Sequence, residues 1–151
     1  IARSPLGRFG WATFARKGHP IRRRPTIAEW TAWPHVQVDT GHVGPGPVSR
    51  AATAAGVERR IHVRIPNFLA ALPVVAGSDM LFTTLHKPFR DVARGMNLRV
   101  IECPLDLPAV DVAALIRQDS DAAVTWLRDR TLATCSHQNR QATRQSRPRP
   151  E

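Results

Sequence analysis

With 151 residues, 42% of them hydrophobic, the chain is long enough for one good domain or two small lobes with a packed core. Its net charge of +10 sits at the ends: residues 1 to 24 carry seven basic and no acidic groups, residues 137 to 151 carry four Arg and one Glu, and the body between is neutral. That partition argues for solvated ends rather than a nucleic-acid surface, and the longest apolar run falls well short of the roughly eighteen residues that span a bilayer.

Cys103 and Cys135 lie far apart without CxxC or Cys/His spacing, which gives no support to a disulfide framework or a metal site. No secretion signal opens the chain, so a cytoplasmic protein is the default expectation. Because Ile1 is not a methionine, the chain is read as a fragment or a processed protein.

In chain order, Ile1 to Gly7 has no strong pattern. Arg8 to Ala15 sets Phe9, Trp11 and Thr13 on one side and Ala12 and Phe14 on the other, which predicts one strand buried on both faces. His19-Pro20 turns the chain, since a residue before proline is pushed out of the helical region. Thr26 and Glu29 have capping-box spacing, with Trp30 and Trp33 on the apolar side of the helical turn they start. His35 to Asp39 alternates as a strand and runs into the glycine and proline loop Thr40 to Pro47. Pro47 then opens an alanine-rich helix that Gly56 stops.

Arg60 to Leu85 is the centre of the chain. Ile61, Val63 and Ile65 alternate with His62 and Arg64, a half-buried strand whose polar side chains point to solvent. Asn67 can cap a helix carrying Leu69, Leu72 and Val75, although Pro73 predicts a kink or a later start. Met80 to Thr84 is the next strand. Such a β-α-β unit belongs to a parallel sheet, where ligands bind beside helix N-termini at the carboxyl ends of strands, so Pro66, Asn67 and Phe68 form the first candidate site. The bland alternative makes Asn67 a plain cap and Phe68 core.

His86 to Gly95 is predicted as a helix, Leu98 to Ile101 as a strand, Cys103 to Pro108 as a proline-bounded crossing and Ala109 to Arg117 as a strand. Asp119 or Ser120 caps a last helix through Leu132, burying Val124 and Leu127. Residues 133–151 turn to Gln, Arg, Ser and Pro and are expected to be a disordered basic tail. No GxSxG, GxGxxG, P-loop or HExxH occurs, so no catalytic residues, metal ligands or cofactor are predicted and the chain is expected not to be an enzyme.

Four features in this order carry a resemblance. They are a strand ending in Gly18-His19-Pro20 followed by a Trp-containing segment and Pro34 to Val38; the loop and helix Gly44 to Gly56; Val63 to Leu85; and the return through Leu98 to Leu107 to a strand and a helix with Trp126. Over about residues 8 to 132 the chain resembles the effector-binding domain of the LysR-type transcriptional regulators, a bacterial family. The resemblance implies an α/β, periplasmic-binding-protein-like two-lobed fold with a small effector between the lobes. Residues 21–103 are expected to form a nearly complete second lobe, and residues 1–20 and 104–132 a partial first lobe that leaves Trp11, Phe14 and Trp126 in need of a partner. The chain crosses the hinge near His19-Pro20 and again near Cys103 to Pro108.

The same resemblance puts the Pro66-Asn67-Phe68 turn against the effector, with backbone N–H groups on its anionic end and Phe68 on its body. His19 at the hinge, Thr40 with His42 and the loop after it, and Thr83 at a strand end are further candidates. The partners implied are a small aromatic or carboxylate effector, DNA only through a domain absent from this chain, and a homo-oligomer in the full-length protein, with no membrane partner. The alternatives are a solute-binding protein of a transport system and a non-functional fragment.

Overall fold

The structure is a computed structural model; it describes residues 1–41, 44–117 and 121–145, with backbone alone for 136–145. In chain order the elements are β1 (Ala2–Phe9), β2 (Trp11–Arg16), α1 (Ile27–Thr31), β3 (Pro34–Val38), α2 (Pro47–Ala54), β4 (Arg60–Ile65), α3 (Phe68–Ala76), β5 (Leu81–Leu85), α4 (His86–Gly95), β6 (Leu98–Ile101), β7 (Val110–Ile116) and α5 (Ala122–Gln145). They form two compact units, Gly10–Ala109 and the pair of segments Ile1–Phe9 and Val110–Glu151.

The Gly10–Ala109 unit holds a five-stranded sheet in the order β4-β3-β5-β2-β6. β3 runs parallel to β4 and β5, while β2 is antiparallel to both of its neighbours, β5 and β6. Apolar side chains fill both faces. One core joins Phe14, Val36, Leu72, Val75 and Phe82, and the other joins Ala15, Trp30, Val48, Leu81 and Ile101. β2 alternates between these cores, which is why its Ala12 to Ala15 stretch is buried throughout.

Local chemistry sets the helix ends. Thr26 and Glu29 close a complete capping box on α1. Gly56, at φ +68°, takes the left-handed position after α2 that a side chain would resist. α3 runs unbroken through Pro73, whose carbonyl accepts from Gly77 N–H, so the expected late start does not occur.

Several expectations need correction. The single strand read over Arg8 to Ala15 is two strands separated at Gly10, and β2 hydrogen-bonds within the five-stranded sheet instead of joining a first lobe with residues 1–20. The compact units accordingly divide at Phe9/Gly10 and Ala109/Val110, outside the expected crossings near residues 20 and 104. Phe14 is fully buried inside its own unit and needs no outside partner. Trp11 is half-buried, and its indole N–H donates to the Pro108 carbonyl at 3.0 Å.

In the smaller unit the patternless N-terminus becomes β1 by pairing antiparallel with β7, from Ala2 opposite Ile116 to Phe9 opposite Val110. α5 continues past Cys135 to Gln145, so the expected tail does not begin at residue 133; residues 146–151 of it lie outside the described residues. Gln, Arg and Ala are good helix formers and need no apolar stripe to extend a helix already begun. Asp121 Oδ1 accepts from Val124 N–H at 2.9 Å at its start; the expected caps Asp119 and Ser120 lie outside the described residues. Val124 and Leu127 are exposed, not buried.

Candidate functional site

Parallel strands bring their carboxyl ends together, and the helices that follow begin there. In the Gly10–Ala109 unit the ends of β3 and β4 and the starts of α2 and α3 surround an open groove of about 840 Å³. Asp39, Thr40, Gly46, Arg59, Arg64 and Phe68 are among its lining residues. Arg59 braces the floor, donating to Gln37 Oε1 at 2.9 Å and to Ser49 Oγ at 2.8 Å. Arg50 is held by the Pro45 carbonyl at 2.6 Å.

The two helix starts differ chemically. Asn67 Oδ1 accepts from Leu69 N–H at 2.8 Å and from Ala70 N–H at 3.3 Å, so α3 is capped by its own sequence. Those two donors are therefore already engaged by the protein. α2 begins at Gly46, which has no side chain to cap with.

The candidate residues separate into two groups. Phe68, 41% exposed, lies at the groove with its ring 5.9 Å from Phe89 and 6.4 Å from Phe82. Pro66 and Asn67 lead directly into it, and Thr40 lines the same groove. His42 lies outside the described residues.

His19 is elsewhere. β2 is antiparallel to β5, with Trp11 opposite Leu85 and Phe14 opposite Phe82, so the turn after β2 lies where the parallel strands begin, at the far end of the sheet from Asn67. There His19 is buried. Its Nδ1 accepts from Ile21 N–H at 3.1 Å, which leaves Nε2 to donate to the Asp79 carbonyl at 3.2 Å, and its ring meets Trp33 edge-on at 4.4 Å. Burial pushes its pKa below the usual histidine value. Thr83 is also inside, its hydroxyl 2.8 Å from that of Thr13, which accepts from the Trp30 indole at 3.1 Å. Both residues make structural bonds away from the groove.

Two residues that sequence reasoning passed over belong to the groove. Arg64 is exposed, as the alternation of its strand implies, and the register sets it opposite Gln37, on the sheet face that carries α2. Arg59, outside the recognised alternation, turns back under α2. The pairing between β3 and β4 reveals the first position, and the bonds to Gln37 and Ser49 the second. Elsewhere in the unit His35 is fully buried, with Nε2 3.1 Å from the Trp30 carbonyl. Burial first, then the charge of Arg59, lowers its pKa to about 4. Among the described residues no group of His, Cys, Asp and Glu is placed to hold a metal, and no helix is long and apolar enough to cross a membrane.

The family model of the LysR substrate binding domain matches residues 1–136. A curated relative, the HTH-type transcriptional activator NahR of Pseudomonas putida, is 27% identical over 121 residues, covering 78% of this chain and 40% of that protein. A probable transcriptional regulator of Pseudomonas aeruginosa superposes with a TM-score of 0.73 at 23% identity, over 87% of this chain and 44% of the other. The effector-binding domain of QuiR in complex with shikimate superposes at 0.63 and 11% identity, over 90% of this chain and 66% of the other. The chain thus spans less than half the length of its curated relatives. The architecture these likenesses share is α/β and periplasmic-binding-protein-like.

Proposed function

The chain belongs to the LysR substrate-binding domain family, and from that premise we propose that it senses a small-molecule effector for a bacterial transcriptional regulator. The groove at the carboxyl ends of β3 and β4 carries this reading, because it pairs an exposed aromatic ring, Phe68, with polar walls in the place where open α/β sheets take ligands. Phe68 packs on the body of the effector and Thr40 contacts it; Pro66 and Asn67 fix where Phe68 stands. His19 and Thr83 support the unit from within.

The effector is aromatic or carboxylated. Shikimate, the ligand named for the QuiR domain, is a cyclic carboxylate of that kind. DNA contact falls to other parts of the regulator, which acts as a homo-oligomer in the cytoplasm, and the chain itself catalyses nothing. The curated relatives are named as transcriptional activators or nodulation proteins, which does not favour a transport protein.

Thermal unfolding of the chain with a panel of aromatic and cyclic carboxylic acids tests this. A ligand that binds the native state alone adds about 2.7 kcal/mol at a hundred times its Kd, a rise of roughly 5–10 °C in Tm for a protein of this size. Phe68→Ala should lose most of that rise. A well-folded sample whose midpoint no acid raises would sink the reading.

A further inference from the structure

We infer that Arg64 determines the charge specificity of the groove, so that the effector must carry an oxyanion to be held there. This rests on the effector-sensing reading above. The groove is lined by three arginines, and two of them are engaged within the protein: Arg50 by the Pro45 carbonyl, Arg59 by Gln37 and Ser49. Arg64 makes no hydrogen bond or ion pair among the described residues, although it is held on a strand paired residue by residue with β3. A guanidinium fixed at its base and uncommitted at its tip, in a groove that an exposed aromatic ring also lines, suits a planar anion that can accept two parallel N–H bonds.

The acids around the groove sharpen the selection. Asp39 and Glu58 also line it, and Asp39 Oδ1 accepts from Gly41 N–H at 3.2 Å. They repel an anion seated beside them. At the usual anion site of such a sheet, the start of the helix after β4, the Leu69 and Ala70 N–H groups are already engaged by the Asn67 side chain. Charge recognition therefore falls to a side chain on the strand before that helix.

The test titrates the full chain with benzoate, phenyl phosphate and the neutral isostere benzamide by calorimetry, alongside Arg64→Gln, Arg64→Lys and, as an exposed control on the same strand, His62→Gln. The wild type should bind at least one anion about tenfold tighter than benzamide, with affinity falling as salt rises. Arg64→Gln should erase both the preference and the salt dependence. Arg64→Lys should restore the salt dependence but only part of the preference, since an ammonium lacks the fork. His62→Gln should behave as wild type. Benzoate against phenyl phosphate tells a carboxylate site from a phosphate site. Equal binding of benzamide and the anions by the wild type, or an anion preference that survives Arg64→Gln, overturns the role of Arg64 and leaves effector sensing standing. Failure of every probe to bind overturns both.

Discussion

The two units are made of the same kinds of element, yet among the described residues every buried side chain lies in Gly10–Ala109 and none in Ile1–Phe9 or Val110–Cys135. In the larger unit helices cover the sheet, so the side chains of its inner strands β2 and β5 leave water on both faces. In the smaller unit β1 and β7 are fully laddered, but Leu115, Trp126 and Leu127 remain 67%, 63% and 60% exposed. Hydrogen bonding alone makes a strand. It takes a second layer to make a core, because the large favourable contribution comes from apolar area removed from water.

Substitution can break that contrast. Phe14→Ala empties a fully buried site and should cost about 3–5 kcal/mol in urea unfolding, whereas Trp126→Ala, which loses an exposed ring and a guanidinium contact at 5.8 Å from Arg130, should cost under about 1 kcal/mol. Equal losses at the two positions would show that the exposure difference does not govern stability.

Acid sharpens the contrast next. His35 is neutral and buried in the larger unit, with a pKa of about 4 when folded against about 6.5 when unfolded. The unfolded chain therefore takes up the proton first as pH falls. The stability is fully present above about pH 6.5 and is lost progressively down to about pH 4, by roughly 3 kcal/mol, levelling below that. His19, held low by burial, acts in the same direction. In unfolding measured between pH 7 and pH 4, the slope should shrink in His35→Gln; an unchanged slope would exclude His35 as its source.

A smaller effect lies at the groove. Asn67→Ala removes the two cap bonds of α3 and should cost about 1 kcal/mol. Asn67→Ser should recover most of it, since a hydroxyl also caps. If alanine proves neutral, the capping bonds do not hold Phe68 in place.

Local signals were readable from the residues alone. The Thr26–Glu29 box, Asn67 as a cap, Pro47 at a helix start and the strand-helix-strand from Arg60 to Leu85 are fixed by neighbours within a few positions, and the structure contains each of them. Features set by distant partners were not readable. β1 contains Pro5 and Gly7, poor strand formers, and exists because β7 pairs with it from more than a hundred residues away in sequence. Gly10 interrupts a run in which apolar residues continue on either side. His19, Thr83 and Arg64 have the same appearance in a sequence: polar residues in or near a strand. Whether such a residue turns into the sheet, toward the opposite end or into a groove depends on strand order, which periodicity does not encode.

The bond from the Trp11 indole to the Pro108 carbonyl fastens the point where the chain enters the larger unit to the point where it leaves. Topologically, Gly10–Ala109 is a guest inserted into a host segment, with both of its ends gathered at one place. Such a guest can be excised, or given new termini by joining the old ones through a short linker, without cutting a strand of its sheet. The groove would travel with it.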